Sequence, residues 1–214
     1  MDLEGFLEQM RDSYSRIAGD YAGAPVLEGN PRLLERALLG AFAERILAGG
    51  NVAVADVGCG PGRHTATLCE LGLDAFGIDL APGMVEVARR EHPGVPFEVG
   101  SMFDLGRPDG SLGGVFAAYS IIHVPLELRA RVFAEFFRVL APGGLVMLIF
   151  QVGDDRGRRE EFQGHRIAID WYRQQPDDVA ALLRDAGFKM WARTVRESEG
   201  AEKVPQGYLI AVKP

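Results

Sequence analysis

The chain has 214 residues, a formal net charge of −7 and a hydrophobic fraction of 47%. This length suits one domain, or a domain with a small cap, and the acidic balance argues against the basic surface of a nucleic-acid-binding protein. No apolar run approaches the roughly 20 residues of a membrane span, and residues 1–4 lack the basic start of a secretory signal. We therefore expect a cytoplasmic protein without nucleic-acid or membrane partners.

Two helices are predicted before the first strand. Apolar residues recur at helical spacing over residues 2–19 and again beyond Pro31, which suits the first turn of the second helix. The second pattern ends at Gly49. We predict a helical lid over residues 1–48 and a core domain over residues 49–214.

Strands and helices alternate through the core, which predicts an α/β fold with a doubly wound, mostly parallel sheet and helices on both faces. The predicted strands lie near residues 52–57, 74–79, 96–100, 114–119, 145–151, 188–196 and 207–213, and the helices near 63–71, 82–92, 125–140 and 177–186. An insertion at about 152–175 interrupts the alternation. It begins with a charged run predicted to be solvated and continues with residues 165–172, which alternate like a strand. Ligands are expected outside the carboxyl ends of the strands, beside strand one.

The glycine-rich turn after strand one is the most informative segment. It reads Asp56-Val57-Gly58-Cys59-Gly60-Pro61-Gly62, and such glycines let backbone approach a ligand closely. Asp79 ends the next strand at the roughly 20-residue offset of an acid that binds a ribose diol. A carboxylate at Asp56 would repel the pyrophosphate of a dinucleotide but suits a ligand with a sulfonium and an ammonium group.

This turn resembles that of the class I S-adenosylmethionine-dependent methyltransferases, especially their small-molecule branch. Three further segments share the resemblance: 79–84, 100–105 and 139–144. The resemblance implies a Rossmann-like seven-stranded sheet whose last strand is antiparallel and inserted between strands five and six. It also implies S-adenosyl-L-methionine as cofactor, S-adenosyl-L-homocysteine as product and a small organic molecule as methyl acceptor.

Within the resemblance, cofactor contacts fall on the glycine turn and on the ends of strands two, three and four. They are Asp56, Gly58, Cys59, Gly60, Gly62, Asp79, Leu80, Met84, Ser101, Met102, Phe103, Tyr119 and Ser120. Asp56 would bind the cofactor amino group and Asp79 both ribose hydroxyls, although either could instead cap the following helix. Leu80 and Met84 would cover the adenine, unless they belong only to the core. Many family members carry Asp where this chain has Ser101.

The acceptor is expected at the end of strand four. His123 is the candidate general base there, with a purely orienting histidine as the alternative. Tyr14 and Tyr21 match a tyrosine-bearing lid element of the family, and they could also be plain aromatic anchors. His165, Trp171 and Tyr172 would form the acceptor wall, or an edge strand with Trp171 packed on the core.

Several alternatives stay open. No cluster of acids at the end of strand four indicates a metal. The chain could be a monomer or a homodimer. A non-catalytic relative that keeps the cofactor pocket for regulation fits the same motifs, and a nicotinamide-dependent oxidoreductase fits them less well because of Asp56.

Overall fold

A seven-stranded sheet forms the centre of the molecule. The computed structural model describes residues 3–23, 33–200 and 202–214, so the prediction for Pro31 lies outside the described residues. The sheet contains β1 Ala53–Val57, β2 Asp74–Asp79, β3 Phe97–Val99, β4 Leu112–Ala118, β5 Leu140–Gln151, β8 Lys189–Arg196 and β9 Gln206–Val212. Its order is β3-β2-β1-β4-β5-β9-β8.

The strand directions confirm the predicted fold. The five strands from β3 to β5 are parallel to their neighbours, whereas β9 runs antiparallel to both β5 and β8. The last strand of the chain is therefore inserted beside β5, as the resemblance implied. Since the strand order reverses beside β1, a crevice opens at the carboxyl ends of β1 and β4.

Helices cover both faces of the sheet. They are α1 Leu3–Ala22, α2 Leu33–Gly49, α3 Arg63–Glu70, α4 Pro82–Glu91, α5 Arg129–Val139 and α6 Pro176–Asp185. Residues of β4 alternate between the two faces: Val115 packs with α5 and α6, and Phe116 packs with α2 and α3. Among the described residues of the predicted lid region, α2 packs on the sheet and α1 lies over the carboxyl ends of the strands. The division at residue 48 stays a prediction.

Three details differ from the sequence-based expectations. The charged residues predicted to be solvated form β6 Arg156–Phe162, which pairs with β7 His165–Tyr172 in an antiparallel hairpin. Backbone pairing with β7 does not require an alternating side-chain pattern. The mostly exposed arginines and glutamates of β6 therefore gave no strand signal in the sequence. The strand predicted from residue 145 begins at Leu140. Its register with β4 shifts between Leu140 and Leu145, and this shift accommodates the Pro-Gly-Gly sequence at residues 142–144. The helix predicted from residue 125 begins as a 3-10 turn, Leu126–Leu128.

Helix α1 is held between α4 and the hairpin. Its buried residues Phe6, Met10 and Ile17 form one cluster with Ile167 and Ile169 of β7. The Ser13 hydroxyl both accepts from the Ala168 N–H at 3.0 Å and donates to the Ala168 carbonyl at 3.3 Å. No helix in the described part of the chain is long and apolar enough to cross a membrane.

Helices α1 and α4 approach each other closely at Gly83. A Cβ added there would lie 2.7 Å from the Ser15 carbonyl oxygen and 2.9 Å from its Cα. Both atoms belong to backbone, which cannot rotate away. A glycine in the first turn of α4 is therefore required for α1 to dock.

We expect Gly83→Ala to lower the free energy of unfolding by about 1–3 kcal/mol, because the added methyl group overpacks the α1–α4 contact. Hydrogen exchange should accelerate selectively in α1. Gly40→Ala is the matched control, since Gly40 is also helical but has no atom within 4 Å of the added Cβ. That variant should be unchanged or stabilised by about 0.5–1 kcal/mol. Equal behaviour of the two variants in thermal unfolding would contradict the docking role of Gly83.

Candidate active site

A pocket lies beyond the carboxyl ends of β1, β2 and β4, beneath α1. Its empty volume is about 1140 Å³, part of which is open to solvent. Most of the predicted site residues line it: Tyr14, Tyr21, Asp56, Gly58, Cys59, Gly60, Asp79, Leu80, Met84, Ser101, Met102, Phe103, Tyr119, Ser120 and His123. Residues separated by up to 109 positions in the sequence thus face one cavity.

Other lining residues were not predicted. Phe6, Leu7 and Met10 of α1 contribute an apolar wall, and Arg63 and His64 contribute polar groups from the start of α3. The helical spacing of the three apolar residues indicates a buried face but not what that face covers. Nothing in the sequence pattern distinguishes a pocket wall from an ordinary helix packing surface.

The glycine turn brings backbone from β1 against the end of β4. Gly58 has a φ of 73° and Gly60 a φ of 53°, both in the left-handed region that glycine tolerates. A Cβ on Gly58 would lie 2.3 Å from the Cβ of Ser120, whose hydroxyl donates to the Val57 carbonyl at 2.8 Å. The first glycine is therefore required for the strand ends to meet.

Gly62 has a different environment. A Cβ on this residue would lie 2.5 Å from the Phe97 ring, so Gly62 allows the turn before α3 to lie against that side chain. It is not among the residues that line the pocket. Its cofactor contact stays a prediction.

Asp79 organises the segments on either side of it. One carboxylate oxygen accepts the Gly60 N–H at 2.8 Å, and the other accepts the Ala81 N–H at 2.9 Å. Burial raises the pKa of Asp79, while these two hydrogen bonds act in the opposite direction. The Ala81 contact ends on the residue that precedes α4 and is not a side-chain cap of that helix, whereas the Gly60 contact ties the same carboxylate to the glycine turn.

Asp56 is a second buried carboxylate in the pocket. It is 2% exposed and accepts a hydrogen bond from the Thr65 hydroxyl at 2.6 Å. Burial raises its pKa to about 6, opposed by the charge of His64 and by the Thr65 hydrogen bond. The His64 ring in turn pairs with Glu35 at 2.9 Å. Asp56 thus contacts the first turn of α3, as the capping alternative predicts, and also faces the pocket.

The hydrogen bonds of His123 define its tautomer. Its Nδ1 lies 2.7 Å from the Asp170 carbonyl oxygen, which can only accept, so Nδ1 carries the proton. Nε2 then accepts from the Tyr14 hydroxyl at 2.7 Å. Burial lowers the pKa of His123 to about 4, so the ring is neutral at physiological pH. The unprotonated nitrogen points towards α1 and the pocket.

Tyr119 bends the chain at the end of β4. It has a φ of 53°, a left-handed conformation that costs a non-glycine residue on the order of 1–3 kcal/mol. The 3-10 turn Ile121–His123 follows directly. This bend carries His123 out of the sheet and towards Tyr14.

The end of the pocket that is predicted to cover the adenine is mostly apolar. The Ser101 hydroxyl accepts the Phe103 N–H at 3.2 Å. The Phe103 ring meets Phe6 of α1 edge-on, with centroids 6.3 Å apart. Met84 is 1% exposed and belongs to the cluster beneath α1, so the core alternative describes its packing even though it also lines the cavity.

Three predicted acceptor residues do not line the pocket. His165 pairs with Asp20 of α1 at 2.8 Å, and both side chains are partly exposed. The Trp171 ring lies 5.0 Å from the Arg173 guanidinium carbon, and the Tyr172 ring lies 5.8 Å from that of Arg129. The hairpin reaches the site through the Asp170 carbonyl instead. Acceptor binding by these three side chains stays a prediction.

We expect His123 to remain neutral, with the proton on Nδ1, from about pH 8 to about pH 5 in nitrogen-15 imidazole spectra. The unfolded chain takes up this proton below a pKa of about 6.5, whereas the folded pKa is about 4. The histidine therefore lowers the free energy of unfolding as the pH falls through that interval. His123→Asn should remove this contribution. Protonation of the wild-type ring near pH 6.5 would contradict the assigned geometry.

Comparisons with known proteins agree with this geometry. The profile of a methyltransferase domain family matches residues 54–144. Malonyl-[acyl-carrier protein] O-methyltransferase of Serratia marcescens is 28% identical over 144 residues, which are 65% of this chain and 51% of that protein. O-methyltransferase cnsE of Penicillium expansum is 32% identical over 152 residues, 64% of this chain and 52% of that protein. The chain thus spans about half the length of these relatives.

A solved structure extends the likeness across the fold. The 1,6-didemethyltoxoflavin-N1-methyltransferase of Burkholderia thailandensis matches with a TM-score of 0.75 at 20% identity, covering 100% of this chain and 91% of that chain. The family profile spans the glycine turn and Asp79, the residues that form the floor of the pocket. Residues 54–144 thus match a methyltransferase domain family, and the whole chain shares the fold of this solved methyltransferase.

Proposed function

We propose that this protein transfers a methyl group from S-adenosylmethionine to a small organic acceptor. The observation that carries the proposal is the convergence of Asp56, Asp79 and the neutral imidazole of His123 on one pocket. The carboxylates suit the charged and ribose parts of the cofactor. The imidazole suits an acceptor that must lose a proton.

The pocket fits the cofactor chemically. Buried carboxylates are costly unless a ligand supplies positive charge or hydroxyl donors, and Asp79 has no ion-pair partner among the described residues. A ribose diol would supply two donors to Asp79, and the amino group of the methionine part would supply positive charge near Asp56. Leu80, Met84 and Phe103 offer apolar cover for a purine ring. When bound, the cofactor supplies a methyl group already activated by its sulfonium.

The residues of the chain then position and deprotonate the acceptor. Helix α1 covers one side of the pocket and places the Tyr14 hydroxyl within hydrogen-bond distance of His123 Nε2. A proton leaving the acceptor would reach His123 Nε2 through that hydroxyl, while the Asp170 carbonyl keeps the opposite nitrogen protonated. Alignment of the reactants can lower the barrier by about 7–11 kcal/mol, whereas a general base contributes about 10²–10⁴-fold in rate. Positioning is therefore the larger effect.

We expect wild-type protein to bind S-adenosylhomocysteine with a micromolar-range Kd in calorimetry, and Asp79→Ala to weaken binding at least tenfold, or by about 1.4 kcal/mol. The substitution removes the expected diol acceptor and releases the Gly60 N–H. Asp74→Ala is the control, because Asp74 is exposed at the opposite end of β2. Binding of NADH in place of S-adenosylhomocysteine would favour the oxidoreductase alternative.

Once an acceptor is found by screening, we expect Tyr14→Phe and His123→Asn each to reduce kcat by about 10²-fold or more, because each interrupts the proton path. Their affinities for S-adenosylhomocysteine should stay within about threefold of wild type. His92→Asn is the control, since His92 does not line the pocket. Unchanged kcat in both variants would show that positioning alone suffices. Cofactor binding with no methyl transfer to any acceptor would favour the non-catalytic alternative.

A further inference from the structure

The arginines of the β6–β7 hairpin differ in their partners. Arg158 donates two hydrogen bonds to the Asp170 carboxylate, at 2.6 and 2.7 Å, and Arg173 donates to Asp155 at 2.5 Å. Arg159 has no ion pair and no hydrogen-bond acceptor among the described residues; it contacts the face of Phe162. Its positive charge is therefore not neutralised by a neighbouring carboxylate in that part of the chain.

The register of the hairpin shows which way Arg159 projects. Arg159 lies opposite Ile169, and opposed residues of an antiparallel pair share a face. Ile169 is 4% exposed and packs in the cluster that contains α1. Arg159 thus projects to the α1 side of the hairpin, whereas Arg158, opposite Asp170, projects to the other side.

A series of contacts links Arg159 to the reaction centre. Its guanidinium carbon lies 5.6 Å from the Phe162 ring centroid, and that ring lies 6.0 Å from Tyr21. Tyr21 meets Tyr14 edge-on at 5.8 Å, and Tyr14 bonds His123. Burial and the charge of Asp79 raise the pKa of both tyrosines, and the charge of Arg159 acts on both in the opposite direction. The guanidinium is therefore within electrostatic reach of the pocket mouth.

A second arginine approaches Tyr21 from α3. Arg63 lines the pocket and donates one hydrogen bond, at 2.9 Å, to the Ala22 carbonyl. A guanidinium has five N–H donors, so others remain for a ligand. The nearby carboxylate of Asp20 is already paired with His165. Two cationic groups thus act on Tyr21 in a chain whose net charge is −7.

We propose that the methyl acceptor is an organic anion whose carboxylate or phosphate oxygens bind Arg159, with Arg63 as a second donor. The guanidinium fork matches both oxyanions in geometry and charge. The nucleophilic atom of the acceptor then lies at Tyr14 and His123, on the inner side of Tyr21. This inference rests on the proposed function and defines the chemical class of its acceptor.

The test measures binding rather than turnover. Protein saturated with S-adenosylhomocysteine is screened by saturation-transfer NMR against aromatic and aliphatic carboxylates, each matched with its primary amide, and phosphate monoesters matched with their parent alcohols. For each matched pair of compounds that binds, the wild-type protein should bind the anion more tightly than its neutral analogue. Arg159→Gln should weaken anion binding about tenfold or more and leave the neutral partners unchanged.

Arg156→Gln is the matched control, because Arg156 is exposed on the same strand but lies opposite Tyr172, on the other face of the hairpin. It should keep the preference for anions, and all three proteins should bind S-adenosylhomocysteine equally. Absence of anion binding, equal binding of neutral partners, or a preference that survives Arg159→Gln would each overturn the inference. Failure of wild type to bind S-adenosylhomocysteine would instead refute the proposed function.

Discussion

The two hydrogen bonds that end on the Asp79 carboxylate are the constraint on which the rest of the site depends. One fixes Gly60 in the turn after β1, and the other fixes Ala81 at the start of α4. Because Gly83 follows two residues later, the same carboxylate sets the position of the surface on which α1 docks. A substitution of Asp79 would therefore alter both the glycine turn after β1 and the docking of α1.

The proposed reaction centre is assembled from three distant parts of the chain. Tyr14 comes from α1, His123 from the turn after β4, and the Asp170 carbonyl from the hairpin that follows β5. The hairpin and α1 also hold each other through Ser13 and Ala168. The orientation of the imidazole is thus a product of tertiary packing, although each of its contacts is a single short hydrogen bond.

The sequence predicts the sheet well, and most of the residues that it assigns to the cofactor line one pocket, because the causes of both are local. Left-handed glycines and an acid at a strand end are needed wherever a turn of this kind meets a ligand, so Gly58, Gly60 and Asp79 could be recognised directly. The acceptor side depends on long-range contacts. A backbone carbonyl such as that of Asp170 leaves no mark on the side-chain pattern, and the charges of β6 hide its pairing with β7. For the same reason His165, Trp171 and Tyr172 were expected in a pocket that they do not line.

Helix α1 takes part both in its own docking on the domain and in the binding of a ligand to the pocket. Phe6, Met10 and Tyr14 anchor it to the domain and also form walls of the cavity. A ligand that touches these side chains binds the docked helix more tightly than an undocked one. By thermodynamic reciprocity, the docking of α1 must then become more favourable by the same factor when the ligand is present. Occupancy of the pocket and cohesion of the amino-terminal helix are thus coupled quantities in this protein.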